Sequence, residues 1–127
     1  MPKEIPIYLF LGFLESGKTK FIQETMEDER FDSGERTLLL VCEEGEEEFD
    51  PSRFAVKKYA VEHIGEEDLT LANLTLIQRK HKAERVVIEY NGMWLLERLF
   101  DAMPDGWMIA QVMSFFEAST FLSYTHL

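Results

Sequence analysis

Gly12-Phe13-Leu14-Glu15-Ser16-Gly17-Lys18-Thr19 fits the pattern G-x-x-x-x-G-K-[ST], and what flanks it decides the fold. Before it runs Ile5-Pro6-Ile7-Tyr8-Leu9-Phe10-Leu11, apolar and rich in β-forming residues, while after it Phe21, Ile22, Thr25 and Met26 recur at helical spacing. A strand, a glycine-bounded loop and a helix in that order make a cradle for phosphate. Gly12 and Gly17 let the backbone turn tightly, so that successive N–H groups and the positive end of the helix converge on one anion. Lys18 is expected to reach the β and γ phosphates, and the Thr19 hydroxyl to help hold Mg²⁺. Leu14, Glu15, Ser16 and Lys20 complete the predicted phosphate-binding set. The plainer alternative is a tight turn capping an ordinary helix.

Composition frames this reading. The 127 residues suffice for one domain with a modest core, and neither a repeat nor a low-complexity linker interrupts them. No stretch is long enough for a membrane span, and the start lacks the basic-then-apolar pattern of a signal peptide, so a cytoplasmic protein is expected. The lone Cys42 excludes an internal disulfide framework. A net charge of -11 argues against an extended nucleic-acid surface, which needs clustered cations. The basic run Arg79-Lys80-His81-Lys82 is read as the end of a helix, complementing its dipole.

Strand and helix alternate along the chain. Strands are expected over Ile5 to Leu11, Thr37 to Cys42, within Phe54 to Val61, over Arg85 to Glu89, and over Trp107 to Phe116. Helices are expected from Lys18 to about Asp28, from about Leu69 to Lys82, through Met93, Leu95, Leu96, Leu99 and Phe100 as far as Pro104-Asp105-Gly106, and again from near Ala118. Trp94, Leu95, Phe100, Trp107, Met108, Met113, Phe115 and Phe116 are assigned to the core. The pattern predicts an α/β fold: a mainly parallel sheet covered by helices on both faces.

Ligands in such sheets bind beyond the carboxyl ends of the strands. Two segments should meet the phosphate loop there, Cys42-Glu43-Glu44-Gly45-Glu46-Glu47-Glu48-Phe49-Asp50 and Glu89-Tyr90-Asn91-Gly92. Glu89 suits Mg²⁺, which prefers hard oxygen ligands and keeps several waters, and Gly92 offers a backbone N–H near the γ phosphate. Alternatively, Glu89 caps the following helix. The acidic run itself, with Cys42 and His63 nearby, is read as a solvated face more readily than as a transition-metal site.

In these residues the chain resembles the CobW/HypB/UreG family of P-loop GTPases. The likeness rests on Ile7 to Thr19, Glu43-Glu44-Gly45-Glu46, Val87-Ile88-Glu89-Tyr90-Asn91-Gly92 and Glu117-Ala118-Ser119-Thr120-Phe121. It implies a three-layer P-loop NTPase fold that binds GTP and Mg²⁺ and hydrolyses GTP while assisting a client metalloenzyme. By that likeness Lys18 and Glu89 are the catalytic candidates, Glu43 and Glu46 lie in a first switch, and Thr19, Glu43 and Glu89 are the metal-binding candidates. Glu89 and Gly92 correspond to the second switch. The chain departs from the family in three places. No Cys-x-Cys-Cys motif occurs between Asp50 and Arg85, Glu15 replaces a small residue, and the Asn-Lys-x-Asp guanine-selecting motif is missing. The last departure makes the chain read as the front part of a longer protein, with uncovered apolar surface and a tendency to form homodimers. The motif alone leaves a P-loop ATPase or kinase, or a non-catalytic nucleotide-sensing module, as alternatives.

Overall fold

The computed structural model describes residues 4–12, 17–42 and 48–115. Along them run β1 (Ile5–Gly12), α1 (Lys18–Glu27), β2 (Thr37–Val41), β3 (Tyr59–His63), α2 (Leu71–His81), β4 (Arg85–Glu89), α3 (Leu96–Ala102) and β5 (Trp107–Phe115). The five strands form one sheet in the order β3-β2-β4-β1-β5, and every pairing is parallel. The α/β architecture read from the alternation is therefore present.

Continuous apolar runs become the central strands. All five residues of β2 and all five of β4 are buried, as expected of strands covered on both faces. Their side chains alternate between two cores. Leu39, Val41 and Val87 meet Ile22 and Met26 of α1 on one face. Leu38, Leu40, Val86 and Ile88 meet Leu74 and Ile77 of α2 and Leu99 and Ala102 of α3 on the other. Each fully buried aliphatic side chain here contributes about 1.5–3 kcal/mol relative to exposure.

Strand order also locates the switch point. From β1 the chain runs through α1 toward β2, whereas from β4 it runs through α3 in the opposite direction, past β1 to β5. Crossovers of one hand running in opposite directions must put their helices on opposite faces, which is where α1 and α3 lie. A crevice therefore opens between the carboxyl ends of β1 and β4.

The amino end of the sheet is closed by a buried cation. Arg85, 4% exposed, donates from Nε to Thr37 Oγ1 at 2.5 Å and from Nη2 to the Phe31 carbonyl, and its guanidinium carbon lies 3.8 Å from the centre of the Phe31 ring. Burial lowers its pKa, but guanidinium stays charged in any ordinary buffer. These bonds tie the short 3₁₀ turn Glu29–Phe31 to β2 and β4.

α2 ends where the basic run predicted. Thr70 caps its start, accepting from the Asn73 N–H at 3.1 Å, and Lys82 ends it in the left-handed conformation at φ 50°, donating its N–H to the Gln78 carbonyl at 2.8 Å. Two expected elements are displaced. Residues 54–58 stay outside the sheet, because Asp50 caps a 3₁₀ turn at Pro51–Arg53 and the N–H groups of Ala55 and Val56 reach the Met26 carbonyl at 2.8 and 3.2 Å. Pairing begins only at Tyr59, opposite Thr37.

The helix expected from Met93 begins instead at Leu96. Asn91 holds a turn, its side chain accepting from the Met93 N–H at 2.8 Å and its carbonyl from the Trp94 N–H at 3.1 Å. Of the residues assigned to the core, Trp107 and Phe115 are buried, whereas Leu95, Phe100 and Met108 are exposed. Leu95 precedes the helix, Phe100 sits on its outer side, and Met108 lies on the edge strand β5. Phe116 and the helix expected near Ala118 lie outside the described residues. Among the described residues, no helix is long and apolar enough to cross a membrane.

Candidate functional site

The crevice between β1 and β4 gathers the residues that the motif singled out. Gly12 ends β1 at φ 141°, and a Cβ there would fall 1.9 Å from the Phe115 carbonyl oxygen, because β5 closes directly over it. Glycine is thus required twice, by its dihedral angle and by the neighbouring backbone. Gly17 stands at the N-cap of α1 in the left-handed region (φ 99°), and the first turn of that helix contains no acidic residue. Its leading N–H groups have no side-chain cap from Gly17 and face the end of the helix that attracts anions.

Lys18 is only 2% exposed although its side chain ends in an ammonium group. Its Nζ donates to the Gly12 carbonyl at 2.6 Å and to the Tyr90 carbonyl at 3.0 Å, bridging the ends of the two strands that flank the crevice. One residue on, the Thr19 hydroxyl donates to Glu89 Oε2 at 2.5 Å. Glu89 is itself 2% exposed, and its backbone is held from both sides. Cys42 N–H donates to the Glu89 carbonyl at 2.8 Å, and Tyr90 N–H to the Phe10 carbonyl at 3.0 Å. The backbone on either side of Glu89 is thus fixed in the sheet, and its carboxylate meets the Thr19 hydroxyl at the edge of the crevice.

The bonds just described answer the question left open about Glu89. Its carboxylate reaches back across the sheet to α1, and α3 begins seven residues later with Leu95 at its N-cap. Helix capping is therefore not its role. Two oxygen donors side by side, one carboxylate and one hydroxyl, fit an ion that takes few protein ligands and completes its shell with water and phosphate. Among the described residues no group of three or more His, Cys, Asp and Glu side chains is arranged to hold a metal ion. Cys42 is buried and His63 lies exposed at the end of β3.

Beside the loop lies a cleft of about 270 Å³ whose walls include Gly12, Tyr90, Asn91, Gly92, Trp94 and Ser114. Gly92 is exposed at its mouth, so the backbone that was expected near a terminal phosphate is accessible. Tyr90 forms the inner wall. Its hydroxyl donates to the Leu95 carbonyl at 2.6 Å, its ring meets Trp94 edge to face at 5.8 Å, and burial pushes the phenol up to about 12. Lys20 is exposed on the first turn of α1. Leu14, Glu15, Ser16 and Glu43 lie outside the described residues.

Sequence reasoning missed two partners in this arrangement. The Tyr90 carbonyl receives Lys18, and the Phe115 carbonyl crowds Gly12. Tyr90 was reachable in principle, since it follows Glu89 at a strand end beside the loop. Phe115 lies roughly a hundred residues beyond Gly12 and leaves no local signal. Comparison of the chain with protein-family models, with curated proteins and with solved structures found no match.

Proposed function

We propose that this chain is the phosphate-binding part of a GTPase of the P-loop class, akin to the CobW/HypB/UreG family, cytoplasmic, and coupled to a client metalloenzyme. One observation carries the reading: a buried lysine and the hydroxyl beside it, both from the first turn of the helix after G-x-x-x-x-G-K-T, converge with a buried glutamate at the switch point of a parallel sheet. A mere capped turn has no use for a lysine sealed from water.

In this reading the triphosphate sits over the N-terminus of α1, and Lys18 turns its ammonium from the Gly12 and Tyr90 carbonyls toward the β and γ phosphates. Hydrolysis joins a water oxygen to the γ phosphorus and breaks that atom's bond to the β–γ bridging oxygen, leaving GDP and inorganic phosphate. Negative charge gathers on the bridging oxygen, and Lys18 offsets it. Mg²⁺, bound through the Thr19 hydroxyl and linked to Glu89, supplies further charge neutralisation on the phosphate oxygens. Gly92 and the turn after it sense the terminal phosphate through a backbone N–H, which makes the Asn91–Leu95 segment the element that changes between triphosphate and diphosphate.

Calorimetric titration of GTP, ATP and GMP, each with and without Mg²⁺, tests the reading. GTP binds in a Mg²⁺-dependent manner and GMP does not, and Lys18→Ala weakens GTP by about a hundredfold or more while the melting temperature changes little. Unchanged affinity in Lys18→Ala overturns the phosphate assignment. Because the guanine-selecting motif is missing from this chain, only ATP binding about tenfold or more tighter than GTP moves the reading to an ATPase or kinase, and binding without phosphate release moves it to a nucleotide sensor.

A further inference from the structure

Tyr90 makes two sets of bonds, and only one of them belongs to the sheet. Its main chain follows directly on β4, with the N–H donating to the Phe10 carbonyl and the carbonyl accepting Lys18 Nζ, each at 3.0 Å. Its side chain is buried, and the phenol donates to the Leu95 carbonyl at 2.6 Å. Leu95 is the N-cap of α3 and makes no side-chain cap bond of its own. One residue therefore links the end of β4, the lysine of the phosphate loop and the start of α3.

The need to satisfy a buried carbonyl does not explain the phenol. The Leu95 carbonyl also accepts the Arg98 N–H at 3.2 Å, so it keeps a partner without Tyr90. Packing does not explain it either. Tyr90 shares its core with aliphatic residues such as Ile88 and Leu99, and a phenylalanine would fill the same space and meet Trp94 in the same way without burying a hydroxyl. What the hydroxyl adds is position. It closes a short loop whose interior is already bonded, the Met93 N–H to Asn91 Oδ1 at 2.8 Å and the Trp94 N–H to the Asn91 carbonyl at 3.1 Å. Gly92 remains at the tip. Among the described residues its N–H donates to no protein group, and it lines the same cleft as Gly12 and Tyr90. It stands two residues beyond the carbonyl that Lys18 holds, within about 7 Å of chain.

We propose that Tyr90 is a positioning residue for the terminal phosphate: by holding the Leu95 carbonyl, its hydroxyl keeps the Asn91–Leu95 turn where the Gly92 N–H meets the γ phosphate, and so sets how strongly the chain prefers a nucleoside triphosphate to the diphosphate. This rests on the nucleotide reading above and names the side chain that governs discrimination within it. Lys18 serves the β phosphate as well as the γ, whereas the Gly92 N–H serves the γ alone, so loss of the phenol is felt by the triphosphate and not by the diphosphate. Burial pushes the phenol up to about 12, which keeps it a protonated donor at any ordinary pH.

Calorimetric titration of the slowly hydrolysed analogue GTPγS and of GDP, both with Mg²⁺, into the full chain and into Tyr90→Phe tests this, since the ratio of the two affinities cancels whatever the base contributes. Tyr90→Phe keeps the ring and should lower that ratio by about tenfold, through weaker GTPγS binding, with GDP affinity within about twofold of the original. Hydrogen exchange at the Met93 and Trp94 amides of the ligand-free protein should quicken in the same variant. Asn91→Ala loosens the same turn through a different bond, from a partly exposed position, and should lower the ratio in the same direction; it keeps the test decisive where Tyr90→Phe folds poorly. Trp107→Phe deletes the bond from Nε1 to Gln78 Oε1 (2.9 Å) at the other end of the sheet and should leave the ratio unchanged. An unchanged ratio in Tyr90→Phe, or in Asn91→Ala where the first variant does not fold, would overturn the positioning role and leave the nucleotide reading standing, as would equal losses for both nucleotides. Absence of nucleotide binding by the unaltered chain, or equal affinity for GTPγS and GDP, would overturn the nucleotide reading's γ-phosphate contact and the role of Tyr90 with it.

Discussion

Lys18 and Arg85 are both buried cations, and they stand at opposite ends of the same parallel sheet. Arg85 is surrounded by groups with nowhere else to go: a ring, a strand hydroxyl and the carbonyl of a tight turn. Lys18 instead donates to two backbone carbonyls at strand ends, Gly12 and Tyr90, which line an open cleft. The first arrangement binds parts of the fold to one another. The second places a charge between two strand ends beside an open cleft. Burial of a charge therefore says little about purpose until its partners are named.

Four substitutions break or sharpen that contrast. The largest effect is expected from Gly12→Ala, which drives a methyl group into the Phe115 backbone; it should lower stability by about 3–5 kcal/mol in urea melts and abolish the separation between the two ends, since strand pairing and loop fail together. Arg85→Ala should follow, at about 2–4 kcal/mol of stability lost through packing, hydrogen bonds and the ring contact, with ligand affinity per folded molecule unchanged. Loss of affinity in Arg85→Ala beyond the unfolded fraction would erase the distinction drawn here. Thr19→Val keeps the shape but removes the donor to Glu89, so GTP binding should lose about tenfold, and most of its Mg²⁺ dependence, in calorimetry.

The smallest effect concerns the pair Glu62 and His81, whose Oε2 and Nε2 lie 2.5 Å apart between β3 and α2. The hydrogen bond from His81 and then Lys80 hold the Glu62 carboxyl below its ordinary 4.5. A depressed carboxylate stabilises the fold fully above its unfolded value, and that contribution drains away as pH falls through the lower folded one. Both side chains are partly exposed, so about 0.5 kcal/mol is at stake. Glu62→Gln should lower the melting temperature slightly at neutral pH, where that contribution is fully present, and leave the strongly acid end nearly unaffected, so the acid limb of the curve flattens.

What the sequence disclosed follows the range of the forces involved. β1, α1, β2, α2 and β4 were legible because each is a periodic or wholly apolar run ended by a local signal, such as Gly17 before α1 or the basic turn closing α2. β3 was misplaced because Phe54 to Val56 look like strand residues, yet the Phe54 N–H is claimed by the Pro51 carbonyl and those of Ala55 and Val56 by the Met26 carbonyl at the far end of α1. α3 was started too early because Asn91 diverts the chain into a turn that apolar spacing does not reveal. At the site, Lys18, Thr19 and Glu89 were named from the motif and the strand-end rule, and they meet. The crowding of Gly12 by Phe115 is a product of strand order, which no single segment encodes.

The all-parallel order has a consequence for how the molecule comes into being on the ribosome. β1 leaves first, yet both its neighbours in the sheet, β4 and β5, belong to the second half of the described chain. At translation rates of about 5–20 residues per second, the apolar segment Ile5–Gly12 waits several seconds for the first of them. No hairpin shelters it meanwhile, since parallel strands join only through crossovers. Lys18 cannot reach the Tyr90 carbonyl, nor Thr19 the Glu89 carboxylate, until that wait is over. The crevice is thus among the last of the described features to be assembled, complete only when β1 is finally covered.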